Sequence, residues 1–147
     1  MSDRLGWAVF AVVAVLLLRT FMRGFRSGIR GDGEEGPSNY SLEVVGEASY
    51  QKNIVAIAGP RGEQSAQIFV DAAVVREDAN PHDSLAVRVD IGGSVVGYLS
   101  RASARRWRKT VDHQRVSCPA VIRGGWDRGN DDRGNYGVWL QPPSEYK

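Results

Sequence analysis

From Leu85 to Ile91 apolar and polar positions alternate. Leu85, Val87, Val89 and Ile91 fall on one face, and Ala86, Arg88 and Asp90 on the other, the period-two pattern of a half-buried strand. Gly92-Gly93 follows, the pair that supplies the positive φ of a two-residue hairpin, and a second run begins at Ser94. The pattern therefore predicts a hairpin of Ser84 to Ile91 and Ser94 to Leu99. Ahead of it, Asn80-Pro81 holds Asn80 extended, and Asp83 is placed to turn its carboxylate back on the local backbone. The same alternation runs from Ala66 to Arg76, with Ile68, Val70, Ala72 and Val74 on one face. Leu42 to Ser49, Gln114 to Arg123 and Tyr136 to Gln141 complete six predicted strands.

Two segments change period. Ser100 is a helix cap before a run from Arg101 to about Asp112, whose apolar side is Ala104, Trp107 and Val111. Lys52 to Ala58 reads as a short helix ended by Gly59-Pro60, since Ile54, Ile57 and Ala58 share a face. Six strands with few helices predict a mostly β fold, a small OB-like or SH3-like barrel with one or two short helices. Between the last two strands stands a tandem, Asp127-Arg128-Gly129-Asn130 and Asp132-Arg133-Gly134-Asn135. Clustered oxygens suit calcium, yet the run lacks a terminal bidentate Glu and each Asp has an Arg beside it, so a solvated hairpin tip is expected.

The N-terminal pattern is of another kind. Leu5 to Leu18 carries no charge, and as a helix it spans about 21 Å, or about 27 Å if Arg19 snorkels and the helix runs to Met22. A single transmembrane helix over 5–22 is expected. The competing readings are a cleaved signal peptide, for which Arg-Thr-Phe-Met-Arg is a poor cleavage site, and a misassigned start. Arg19, Arg23, Arg26 and Arg30 follow the run, which predicts a C-terminal domain on the cytoplasmic side of a cell membrane. The expected organisation is a tail over 1–4, the anchor over 5–22, a basic flank and Gly- and acid-rich linker over 23–40, a barrel over 41–142, and a tail over 143–147.

The net charge of +2 conceals a polarity. Acidic groups dominate residues 31–100 and basic groups dominate 101–147, so an acidic first half meets a basic helix, a surface suited to anionic partners. Within that helix Arg101, Arg105, Arg106, Arg108 and Lys109 cluster, and Arg101, Arg105 and Arg108 fall near one stripe, the placement of a phosphate track or of a contact with anionic lipid. Cys118 is the only cysteine, in a strand-like run, and reads as a small buried hydrophobe.

Enzyme chemistry has little to build on. His82 and His113 are the only histidines, and with Cys118 they give no metal-ligand spacing; phosphate-binding glycine loops and nucleophile elbows are lacking. No catalysis, cofactor or metal is expected.

The segments Val45-Gly46-Glu47-Ala48-Ser49-Tyr50, Glu77-Asp78-Ala79-Asn80-Pro81-His82-Asp83, Ala86-Val87 and Val96-Gly97-Tyr98-Leu99, in that order and spacing, resemble the HIRAN domain. The resemblance covers roughly residues 42–142 and implies a small β-barrel that takes the 3′ end of a single DNA strand. It gives Asp83 the role of accepting the terminal 3′-hydroxyl and puts His82 in the place of the family's stacking tyrosine. Tyr50 matches an aromatic of the Gly-containing element, Tyr98 falls in the Gly-Tyr-Leu element, and Arg101 matches a basic residue that meets phosphate. The family's Arg-aromatic pair is Ala48-Ser49 here, so a phosphate contact and a stacking platform are both missing at those positions. Trp126 and Trp139 flank the last hairpin and read as packing residues rather than stacking ones.

The expected function is thus a monomeric, non-catalytic nucleic-acid-binding module for single-stranded DNA ends, tethered to the membrane through 5–22. Its binding residues are expected to be Tyr50, His82, Asp83, Tyr98, Arg101, Arg105 and Arg108. The alternatives are a protein- or lipid-binding scaffold at the membrane and an accessory to a nuclease or phage-defence system.

Overall fold

The computed structural model describes residues 29–30 and 39–147. The strands are β1 (Ile29–Arg30), β2 (Leu42–Val45), β3 (Ala66–Arg76), β4 (Val87–Ile91), β5 (Ser94–Leu99), β6 (Arg115–Gly124) and β7 (Tyr136–Leu140). The helices are α1 (Gln51–Ala58) and α2 (Arg101–Thr110), and a 3-10 turn (Glu47–Tyr50) leads into α1. The sheet runs β3-β4-β5-β2-β7-β6, every pairing antiparallel, and β6 pairs back with β3, closing a six-stranded barrel. β1 adds to the edge of β3 at Phe69 and Val70.

Closure depends on the long β3. Its register with β6 extends from Ala66↔Gly124 to Val75↔Arg115, while Ala72 to Arg76 also pair with β4. The inward residues of each strand are those the alternation marks: Val70, Ala72 and Val74 on β3, Val87, Val89 and Ile91 on β4, and Tyr136, Val138 and Leu140 on β7. Trp107 and Ala104 of α2 and Ile54 of α1 join this core. Cys118 is buried there as well, and burial pushes its thiol up to about 11.

The β4–β5 turn is the expected glycine pair, with φ of 57° at Gly92 and 81° at Gly93. Gly97 serves a different need. A Cβ there would lie 2.5 Å from Val44 Cγ1 and 2.7 Å from the Val45 carbonyl oxygen, so a glycine lets β2 press against β5. Ser100 caps α2 by accepting from the Ser103 N–H at 3.2 Å.

Several expectations are corrected. The first strand stops at Val45, not Ser49, because Gly46 turns into the left-handed region and residues 47–50 coil into the 3-10 turn. Leu85, expected inward, is 41% exposed, because β4 starts only at Val87. The helix from Arg101 ends at Thr110, two residues short of Asp112. The predicted anchor over 5–22 lies outside the described residues; among those described, no helix is long and apolar enough to cross a membrane. The last residues do not simply trail away, since the Tyr146 ring packs 5.7 Å from that of Trp107.

Candidate nucleic-acid interface

A cavity of about 300 Å³ opens beside the loop that precedes β4. Tyr50 comes to it from the 3-10 turn, Asn80, His82 and Asp83 from the loop, Tyr98 from β5, and Arg101 from the start of α2. Five of the seven residues singled out in the sequence thus share one cavity: Tyr50, His82, Asp83, Tyr98 and Arg101. The Tyr50 and Tyr98 rings stand 6.2 Å apart at 48°, a tilted aromatic pair on the cavity wall.

The loop is held by a relay of hydrogen bonds. Arg88 on β4 donates to Asp90 in a fork, Nε to Oδ1 at 2.8 Å and Nη2 to Oδ2 at 3.0 Å, and its Nη1 donates to Glu77 Oε1 at 2.9 Å. Glu77 Oε2 accepts from the Asn80 amide at 2.7 Å. Asn80 Oδ1 then accepts from the backbone N–H groups of His82 at 2.9 Å and Asp83 at 3.1 Å. The Asn80 amide foremost, with the Tyr98 hydroxyl and Arg88, holds the Glu77 carboxyl below the usual range. Burial and the bond to Glu77 push the Tyr98 hydroxyl well above its ordinary value, so Tyr98 stays a donor.

Asp83 is divided between two tasks. Its Oδ1 accepts from the Leu85 N–H at 2.9 Å, the turn-capping bond expected after Pro81. Its Oδ2 has no hydrogen-bond partner among the described residues and lies 3.8 Å from Arg105 Nη1. The carboxylate is thereby oriented by the backbone, while its second oxygen has only the long contact with Arg105.

The arginine stripe divides in the same way. Arg101 and Arg105 are exposed beside the cavity. Arg108 is not; its side chain is 14% exposed and turned back on the loop, donating to the carbonyls of Leu85 at 2.9 Å and Ala86 at 2.9 Å and pairing with Asp78 at 2.6 Å. Arg108 is a clamp, so of the three arginines expected on the stripe only Arg101 and Arg105 remain exposed. Helical spacing placed it correctly on the stripe, but a loop packing onto that stripe has no periodic signal.

The tandem loop is a pair of crossed ion pairs, Asp127 with Arg133 at 2.8 Å and Asp132 with Arg128 at 3.2 Å. Both carboxylates are engaged by guanidinium groups. Among the described residues no group of three or more His, Cys, Asp or Glu converges as metal ligands would. Trp126 and Trp139, read in the sequence as packing residues, line a second cavity.

The cavity is thus an aromatic opening, lined by Arg101, in a closed antiparallel barrel. The HIRAN domain family model matches residues 40–133, most of the chain, and the chain belongs to the HIRAN domain family, a family of nucleic-acid-binding modules. The match ends before β7, which closes the barrel in this chain. Neither the curated proteins nor the solved structures gave a significant match to the chain.

Proposed function

We propose that this domain is a non-catalytic module that binds single-stranded DNA by its 3′ end. The observation that carries the reading is Asp83, with Oδ1 fixed by the Leu85 N–H and Oδ2 left beside a cavity walled by Tyr50 and Tyr98. An oriented carboxylate accepts the hydrogen of a terminal hydroxyl and repels a terminal phosphate, so it selects the chemistry of the end. Tyr50, Tyr98 and His82 offer ring faces to the last bases, and stacking suits a single strand because every base has a π-face. Arg101 and Arg105 stand where the backbone phosphates enter. The Arg105–Asp83 contact is long, 3.8 Å, and Arg105 is half exposed, so Arg105 yields to a phosphate at little cost.

The tether belongs to the same proposal and rests on the sequence alone, the charge-free run over 5–18 with its arginine flank. It places the domain on the cytoplasmic face of a membrane.

The test is competition at moderate salt between a linear single-stranded oligonucleotide and a circular one of the same composition, each displacing a labelled linear strand from the full chain. The linear strand displaces the label and the circle does not. Equal displacement by the circle overturns the end-reading assignment.

A further inference from the structure

A second cavity, of about 510 Å³, is lined by Glu47 and Ala48 of the 3-10 turn whose last residue, Tyr50, lines the first. Glu43 on β2, Arg123 on β6, and Gly137 and Trp139 on β7 form its sheet wall. On β7, Tyr136, Val138 and Leu140 point into the core, so Gly137 and Trp139 share the outer face. The Trp139 ring is laid along the strand over Gly137; a Cβ at 137 would come within 2.7 Å of Cη2. The Arg123 guanidinium lies over the same ring, 5.6 Å from its centroid. Arg123 and Gly137 are cross-strand partners, as are Glu43 and Trp139, so the three side chains sit side by side on three adjacent strands.

We propose that this second cavity holds the upstream nucleotides of the single strand whose 3′ end occupies the first, with the cation–π pair Trp139–Arg123 as the platform. The inference rests on the end-binding reading and extends it. An indole and a guanidinium both present flat faces on which a base can stack, while the guanidinium N–H edge remains available to a phosphate. Ala48, exposed on the 3-10 turn that contributes residues to both cavities, carries only a methyl group. The wall also carries two carboxylates. Glu47 accepts from the Val138 N–H at 3.2 Å and burial raises its carboxyl above the ordinary value, so it is engaged with the fold. Glu43 is exposed beside Trp139, and a carboxylate there accepts from the amino group of a stacked cytosine.

The experiment is a titration of the full chain with d(C)2 and d(C)6, each ending in a 3′-hydroxyl, for the wild type, Trp139→Ala and Arg123→Met, with thermal unfolding as the check that each variant is folded. Trp139→Ala weakens d(C)6 by about tenfold, the loss of one stacked base, and leaves d(C)2 within twofold. Arg123→Met, which keeps the strand and its indole, flattens the salt dependence of d(C)6 binding by about 0.7 in the logarithmic slope, one phosphate for a single strand. The proposal is overturned if both variants bind d(C)6 as the wild type does, or if they weaken d(C)2 and d(C)6 alike. Failure of the underlying reading looks different: the wild type then binds neither oligonucleotide, or binds 3′-phosphate forms of both as tightly as the 3′-hydroxyl forms.

Discussion

Arg108 and Asp78 meet at 2.6 Å, a tie between α2 and the loop that leads to β4. The guanidinium is largely buried while the carboxylate is 63% exposed, so the ion pair itself contributes little. The strength of the tie lies in the two carbonyls, of Leu85 and Ala86, that the same guanidinium satisfies. It fixes the loop that carries His82 and Asp83.

Arg108→Ala is expected to cost about 1.5–3 kcal/mol of stability, the range for hydrogen bonds to a charged group. Arg101→Ala, at an exposed position on the same helix, is expected to stay within about 0.5 kcal/mol. Urea unfolding of the two variants separates clamp from contact. Equal, negligible losses would show that the loop does not depend on Arg108.

Glu77 gives the fold an acid-sensitive contact. Its folded pKa lies below the ordinary 4.5, chiefly through the Asn80 amide, so its contribution is fully present above that value. It is lost as the pH falls below 4.5 through the depressed folded pKa. Glu77→Gln keeps an oxygen for the Asn80 amide and removes the titration. Between pH 5 and pH 3 the melting temperature of the wild type is expected to fall more steeply than that of Glu77→Gln. Parallel curves would count against this role for Glu77.

Gly97→Ala tests the closure of the barrel. The added methyl meets Val44 Cγ1 and the Val45 carbonyl, and a backbone atom cannot swing aside as a side chain can. A loss of about 1–3 kcal/mol is expected from overpacking. Gly93→Ala in the hairpin turn meets no atom within 4 Å and strains only its positive φ, so a smaller loss is expected there. Chemical denaturation ranks the two; the reverse order would place the tight contact elsewhere.

The alternation of β3 and the glycine pair before β5 made those strands legible to the residue, because one face is buried and the turn type is dictated by composition. Ser100 marked the start of α2 through its cap. The end of β2 was missed although Gly46 stands there, since the run reads as strand through Ser49. Leu85 was misplaced because its alternation is real but Asp83 and Arg108 hold residues 83–86 in the loop. The cavity at Asp83 was approached through the motif, which groups His82 with Asp83. The relay through Arg88, Glu77 and Asn80 joins positions 77 to 90 across a turn and a strand, and no local pattern announces it. The platform at Trp139 joins β6 and β7 to β2, a strand far from them in sequence, and becomes visible only once their register is known.

The central claim is that Asp83 reads a 3′-hydroxyl. The most direct measurement is fluorescence anisotropy of the full chain with one single-stranded oligonucleotide ending in either a 3′-hydroxyl or a 3′-phosphate, for the wild type and Asp83→Asn. The substituted amide keeps an oxygen for the Leu85 N–H and removes the charge that repels the phosphate. The wild type is expected to favour the hydroxyl end by about tenfold or more, equivalent to roughly 1.4 kcal/mol, and Asp83→Asn to lose most of that preference. A wild type indifferent to the end, or an Asp83→Asn that discriminates as well as the wild type, would contradict the account.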